Sequence, residues 1–432
     1  MRGKTIFFGS RLFVILVVAM LAASSWAAPS WRASVVHYFN GTDGSYPQSP
    51  LIFDAAGNLY GTTTAGGAYG GGTVFELSPA AGGGWTQTVL YSFYANASDG
   101  FSPLAGLVFD AAGNLFGTTI GGGLYEYGTV FELSPKAGGG WTETILHNFG
   151  DGTDGAYPAY GSLIFDAAGN LYGTTSSGGA FTCQGNGGCG TVFELSPRPG
   201  GEWTESVLHN FGVGTDGYSP EAGLVQDING NLFGTTTYGG TVFCAVAEYS
   251  GCGTIFELTP AGGGSWTETV VHDFSGGMDG ATSIAGLTLD AEGNFYGTTE
   301  EGGPSNLGTV FRLSPAGLGW SESVIHSFSL DAGGWGPGAG TLVLDAAGNL
   351  YGTLPFSDRA FELSASGVET ALYTFDHNDS PWGGLIPDTD GNLYGTTWYG
   401  GLEECDGTYP GCGKVFKLSP VYPCTRCSAH SR

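Results

Sequence analysis

The chain of 432 residues carries 39 acidic against 12 basic side chains, a formal net charge of −27. It therefore lacks the basic stripe that holds nucleic acid or an anionic membrane surface by displacing counterions. Only 12% of its residues are charged while 13% are aromatic, which excludes a disordered acidic tail, and its 80 glycines follow no Gly-X-Y period, which excludes collagen.

The first element in chain order reads as an export signal over residues 1–27. Arg2, Lys4 and Arg11 make a positive start, Leu12 to Ala23 an apolar stretch, and Ser25-Trp26-Ala27 a small-x-small cleavage site. The apolar stretch is shorter than the about 20 residues that cross a bilayer as a helix, which favours a cleaved signal over a retained anchor. No second stretch of that length follows, so no membrane span is expected in the mature chain. The expected location is secreted, periplasmic or cell-surface.

Next comes Trp31-Arg-Ala-Ser-Val-Val-His-Tyr-Phe39, a strand whose counterparts recur downstream. Residues 28–420 would by length suggest two or three domains, but internal repetition joins them into one. Asp-x-x-Gly-Asn-Leu-Tyr-Gly-Thr-Thr recurs with its Asn at Asn58, Asn114, Asn170, Asn231, Asn294, Asn349 and Asn392, at intervals of 43 to 63 residues. Gly-Thr-Val-Phe-Glu-Leu centres on Phe75, Phe131, Phe193, Phe256, Phe311, Phe361 and Phe416. Trp-Thr-Glu-Thr-Val-Leu-His-x-Phe begins at Trp85, Trp141, Trp203, Trp266 and Trp320, with Gly367 in the Trp place of a sixth copy. A fourth phrase, Gly-Leu-Val-Phe-Asp, precedes each Gly-Asn turn.

Each phrase is short, rich in Val, Ile, Thr, Phe and Tyr, and bounded by Gly, Pro and Asp, as strands are. Four strands per unit predict an all-β, seven-bladed β-propeller with four antiparallel strands per blade. The seventh unit stops after Gly413-Lys-Val-Phe-Lys-Leu418 and lacks its Trp strand, whereas residues 31–39 supply one at the other end. The ring is thus expected to close by the N-terminal strand completing the last blade, which leaves few open edges. A β-solenoid or two stacked β-domains are the competing architectures. Residues 421–432 form a short tail with a Cys-x-x-Cys.

The Gly-Asn-Leu-Tyr-Gly-Thr-Thr and Gly-Thr-Val-Phe-Glu-Leu phrases resemble those of the choice-of-anchor tandem repeat GloVer-containing proteins, over nearly the whole mature chain. The resemblance implies an exported bacterial protein and brings no established activity. Many members of that family end in a sorting or anchoring tail. Residues 424–432 show no hydrophobic tail, so free secretion or periplasmic residence is expected over surface attachment.

Three cysteine pairs fall in one repeat location, the insert between the Gly-Thr-Thr and Gly-Thr-Val-Phe phrases: Cys183 with Cys189, Cys244 with Cys252, and Cys405 with Cys412. In an exported chain such local pairs predict disulfides that staple the loops. Cys424 and Cys427 predict a fourth bridge, since no helix start is present to make their Cys-x-x-Cys a redox motif.

His37, His147, His209, His272 and His326 hold one repeat position, which Tyr91 and Tyr373 fill in the other blades, and so read as framework. No Ser/His/Asp arrangement or Gly-x-Ser-x-Gly elbow appears, and no catalytic residue is assigned. Asp54 and its six counterparts read as turn formers. Asp43, Asp99, Asp154, Asp216 and Asp279 sit in Asp-Gly loops; they are weak candidates for calcium, which wants six to eight oxygens, against a simpler role in turn capping. No other cofactor is expected.

Adjacent strands of a propeller place the Asp-x-x-Gly-Asn turns and Ser-Pro-x-x-Gly-Gly loops on one face, the Asp-Gly loops and stapled inserts on the other. Variation concentrates on that second face, at Tyr125, Tyr127, Tyr238, Trp398 and Tyr399 and at the acids Glu300, Glu301, Glu403 and Glu404. Aromatics beside carboxylates predict a ligand surface for glycan or protein, unless these side chains only pack their own loops. The expected function is a non-catalytic, monomeric recognition scaffold. The alternative is a secreted hydrolase or lyase on a polysaccharide or ester, for which singletons such as Glu221 and Glu300 would supply paired carboxylates.

Overall fold

The computed structural model describes residues 29–94, 99–150, 153–183, 187–244, 251–330, 336–401, 405 and 411–422. The expected signal segment, Glu403, Glu404, Cys424 and Cys427 lie outside the described residues. Seven four-stranded antiparallel sheets form the blades of a propeller. In blade 1 the strands a to d, from axis to rim, are Ile52–Phe53, Leu59–Thr63, Gly70–Pro79 and Trp85–Tyr94. Blade 7 is composite: Ile386–Pro387, Leu393–Thr397 and Lys414–Val421 are completed by the N-terminal strand Ser30–Tyr38, which runs antiparallel to Lys414–Val421 from Ser30 opposite Val421 to Tyr38 opposite Lys414. Among the described residues no helix is long and apolar enough to cross a membrane.

Each repeated residue has a distinct task. At the a–b turn, Asp54 Oδ1 accepts the Ala56 and Asn58 amides, both at 2.9 Å, and Oδ2 accepts Asn58 Nδ2 and the Tyr60 hydroxyl. Gly57 takes φ +85° there, a conformation only glycine adopts without strain. In Gly-Thr-Thr, Gly61 leaves room for the strand c ring, because a β-carbon would stand 2.8 Å from Phe75 Cζ. The first Thr reaches the next blade: Thr62 donates to the Pro103 carbonyl and Thr174 to that of Ala222. The second Thr bonds strand c, as Thr63 does with Thr73 at 2.8 Å.

The seams carry most of the apolar burial. The Phe that ends each strand d packs edge-on against the strand c Phe of the following blade, from Phe39–Phe75 through Phe375–Phe416, seven pairs with centroids 4.6 to 5.5 Å apart. Fully buried rings in such geometry gain more than their area alone. The repeated Trp packs the other way, onto the strand b aromatic of the preceding blade: Trp203 on Phe116, Trp266 on Tyr172, Trp320 on Phe233. A single blade buries neither face, and the closed ring buries both.

Candidate functional site

The d–a and b–c loops lie on one face, as expected, and are knitted together there. Bridges join Ser45 to Ala65, Ala156 to Ser177, Tyr218 to Tyr238 and Ala281 to Glu301, and in blade 2 Gly100–Phe101 pairs with Gly121–Gly122.

The three expected disulfides form across the b–c inserts. Cys183 bonds Cys189, Cys244 bonds Cys252, and Cys405 bonds Cys412, with Cα–Cα separations of 5.1, 4.9 and 5.1 Å. Their setting adds to the sequence reading, which took them as loop staples. Cys189, Cys244, Cys252, Cys405 and Cys412 are all buried. Cys244 and Cys252 pack in one core cluster with Phe274, Ala281 and Phe311, and Cys405 and Cys412 pack in another with Phe39 and Phe75. The reason is position: the second cysteine of each pair directly precedes the Gly that opens strand c, so the bridge sits over the end of the seam. A disulfide there is apolar filling as well as a cross-link.

Around the axis, the residue before each inward Leu is small, and the segments approach closely. A β-carbon on Gly106 would lie 2.7 Å from Ser162 Oγ and 2.8 Å from Pro50 Cγ. The space left on the axis is about 170 Å³, lined by Pro50, Tyr160, Ser162, Ala222, Ile284 and Thr341 among others. The channel is therefore narrow, and the chemistry sits at its mouth on the loop face.

Three repeat columns overhang that mouth. The first follows the Pro of the segment entering strand a, where Glu221 in blade 4 and Trp382 in blade 7 occupy equivalent places and Tyr160 is an insertion in blade 3. The second follows Gly-Thr-Thr directly and holds Thr64, Ile120, Ser176, Thr237, Glu300, Pro355 and Trp398. The third, one residue on, holds Ala65, Gly121, Ser177, Tyr238, Glu301, Phe356 and Tyr399.

One side of the mouth is acidic. Glu300 and Glu301 line a cavity of about 450 Å³ with Asn306, Gly336 and Phe356. Burial, then the charges of Glu301 and Glu221, push the Glu300 carboxyl up to about 7. Burial also raises Glu221, against the Ser219 hydroxyl that donates to its Oε1 at 3.3 Å, and raises Glu301 against the Thr282 hydroxyl. Tyr160 is raised to about 12 by burial and by the charges of Glu221 and Glu300.

The other side is aromatic. Trp382, only 8% exposed, touches Phe356 and Trp398 at 5.5 Å each and Tyr160 at 6.3 Å. Trp398 stacks on Tyr399 at 4.5 Å and 17°, and Tyr399 meets Tyr46 of blade 1 at 5.8 Å. Phe356 is 50% exposed, and Trp398 and Tyr399 are half-buried. Blades 6, 7 and 1 thus present one continuous aromatic row.

Of the aromatics singled out in the sequence, Trp398 and Tyr399 belong to this row. Tyr238 packs on Tyr218 in blade 4 at 5.5 Å, and Tyr127 on Tyr157 at 5.4 Å, with Tyr125 beside it over Gly150. Tyr125 and Tyr127 share one loop of blade 2 and Tyr238 stands in a loop of blade 4. Tyr160, Phe356, Trp382 and Tyr46 were not picked out. The signal was available: in a repeat, a column that varies while its neighbours stay constant marks the residues that framework does not dictate.

The Asp-Gly carboxylates are engaged by donors at the seams. His37, His147 and His209 Nε2 lie 3.0 to 3.1 Å from Asp43, Asp154 and Asp216 Oδ2, and His272 lies 3.4 Å from Asp279. Their other contacts are backbone amides, such as Asn40 to Asp43 and Gly150 to Asp154, with the Asn40 side-chain amide at Asp43 and the Ser275 hydroxyl at Asp279, and Tyr91 takes the His role at Asp99. Behind these pairs stand Glu143, Glu205, Glu268 and Glu322 of the following blades; burial drives the first three up to about 7 and raises the fourth as well. Among the described residues no group of three His, Cys, Asp or Glu is arranged to hold a metal ion.

The sequence profile of the Gloeobacter/Verrucomicrobia repeat matches residues 26–247 and 242–425. No curated protein matches the chain in sequence. Among solved structures, virginiamycin B lyase from Staphylococcus aureus is 14% identical with a TM-score of 0.55, over 91% of this chain and 100% of its own. A streptogramin B lyase is 13% identical at 0.54, over 90% and 98%. A fungal alcohol oxidase of the AA5 family, in complex with copper, is 14% identical at 0.54, over 91% and 76%. At such identities the likeness is one of fold.

Proposed function

Because the chain belongs to the Gloeobacter/Verrucomicrobia repeat family, built of framework repeats that leave one face free to vary, we propose that it is an exported recognition scaffold that binds a glycan across its channel mouth. The observation that carries this reading is the aromatic row Phe356–Trp382–Trp398–Tyr399–Tyr46, contributed by three blades. Flat apolar rings flanked by polar groups suit the faces and hydroxyls of sugars. The disulfides support an oxidising location outside the cytoplasm.

A glycan array probed with the purified protein, with and without Ca²⁺, tests this. Binding is expected that Trp398→Ala weakens about tenfold or more, the loss of one aromatic stacking surface, while the distant Tyr127→Ala leaves it intact. No glycan bound, or binding indifferent to Trp398, sinks the reading. A Ca²⁺ requirement removed by Asp154→Asn would move the site to the Asp-Gly loops. One observation favours the second reading, a hydrolase or lyase: a carboxyl held at about 7 beside another is matched to proton transfer at neutral pH. Release of reducing ends from a bound polysaccharide decides between binding and turnover.

A further inference from the structure

The acids at the mouth have no cation. Among the described residues, the ion pairs engage His side chains, Arg359, Lys414 and Lys417, and none reaches Glu221, Glu300 or Glu301. Carboxyls drawn partly out of water without a cation to neutralise them are costly and are kept where something binds. Two further polar atoms at this wall are buried without a hydrogen bond: Nε1 of Trp382, whose ring packs on the cavity's own Phe356, and Oε2 of Glu301. The occupant that would relieve this wall carries positive charge and donors for the carboxylates, and an acceptor such as a hydroxyl for the indole N–H of Trp382.

A bare divalent ion fits poorly, since the wall offers aromatic faces where such an ion needs six to eight oxygens. An organic ammonium fits well. It offers three donors to carboxylate oxygens, and its carbon frame can lie against Phe356, where ring and cation also attract. The cavity of about 450 Å³ is within the range of sites that hold a small organic ligand.

We propose that the cavity formed by Glu300, Glu301 and Phe356, with Glu221 and Trp382 at its edge, takes the protonated amine of an amino-sugar unit, so that the ligand is a cationic, N-deacetylated glycan. This deepens the glycan reading and rests on it. The aromatic row receives the neighbouring sugar rings, and the acidic side selects the unit that bears the amine. Seating an ammonium favours the ionised form of Glu300, so protons are released on binding at neutral pH.

Calorimetric titration with three hexamers tests the proposal: a β-linked glucosamine hexamer, its fully N-acetylated form and hexalysine. The amine hexamer is expected to bind about tenfold tighter than the acetylated one, as one charge-assisted contact would give. Glu300→Gln and, separately, Glu301→Gln should shrink that ratio several-fold, while Ile228→Ala on the opposite face leaves it unchanged. Equal affinity for both sugar hexamers, with Trp398→Ala weakening both, overturns the proposal and leaves the glycan reading standing. Binding of neither sugar hexamer overturns both. Hexalysine binding as tightly through Glu300 makes the cavity a basic-peptide site and likewise overturns the proposal.

Discussion

Asp166 on the underside and Glu300 at the mouth are carboxyls of one fold in opposite conditions. Burial would raise Asp166, but the Asn170 amides, the Tyr172 hydroxyl and the Ala168 amide more than offset it and hold it below its ordinary value. The same holds for Asp54, Asp290, Asp345 and Asp388, four more copies of the same turn. Burial raises Glu300 too, and there the neighbouring charges of Glu301 and Glu221 add to the rise. The turn acid is surrounded by donors that its own seven-residue segment brings. The mouth acid meets its own neighbour Glu301, and an acid and rings brought from other blades. A framework acid stabilises the fold, whereas an acid of the second kind is retained at the expense of stability.

The largest break in this comparison comes from the seams that hold both faces together. Phe256→Ala removes a fully buried ring from the Phe211–Phe256 pair and should cost about 3–5 kcal/mol in denaturant unfolding. A loss under one would mean that the blades are not coupled through these rings. Replacing Cys183 and Cys189 together by Ser opens a six-residue separation and should cost about 2 kcal/mol, read as a lower melting temperature. The same exchange at Cys244 and Cys252, both buried against Phe274, should cost more, because it also leaves hydroxyls in the core. Equal losses at the two bridges would mean that cross-linking alone, and not core packing, sets their value.

Smaller effects separate the two kinds of acid directly. Asp166→Ala leaves its donors unpaired and should cost about 1–2 kcal/mol. Glu300→Gln should instead raise the stability slightly above neutral pH, by up to about 1 kcal/mol, because it removes a carboxylate that the fold disfavours. If both variants lose stability alike, the two acids do not differ as described.

The pH profile is the finest test. Glu143, Glu205, Glu268 and Glu300 rise from an ordinary 4.5 to about 7 in the fold. Between those values the native state holds more protons than the unfolded chain, so stability should fall as pH rises through that window. The turn aspartates, lowered from 3.8, act in reverse: their contribution is present above that value and is lost as acidity increases past it. A stability maximum near pH 5 follows, by about a unit either way. Glu205→Gln and Glu268→Gln should flatten its alkaline side. A melting temperature that climbs steadily to pH 8 contradicts these shifts.

Much of the fold was legible because its causes are local and repeated. Strand phrases, the Asp-x-x-Gly-Asn turn and the cysteine pairs depend on residues a few positions apart, and seven copies remove ambiguity about any one strand or turn. Ring closure was legible as well, because the strand missing after Leu418 is present at Trp31–Phe39. The burial of Cys252 and Cys412 was not, since spacing shows which cysteines can meet but not what lies over them. The recurrent histidines were legible as one repeat position, but their partners were not visible: each meets an acid from a loop six or seven residues on or, in the case of His326, Glu369 of the next blade.

The mouth was legible only in fragments. Trp398, Tyr399, Glu221 and Glu300 stood out singly, whereas Tyr125, Tyr127 and Tyr238 stood out equally and lie in two other loops, outside the aromatic row. By itself the sequence determined the strands, their turns, the number of blades and the face on which variation gathers, since each follows from short-range chemistry or from counting. Only the tertiary structure decided that Tyr160, Glu221, Glu300 and Trp382 face one opening, because closing the ring brings together columns that lie some sixty to two hundred residues apart along the chain.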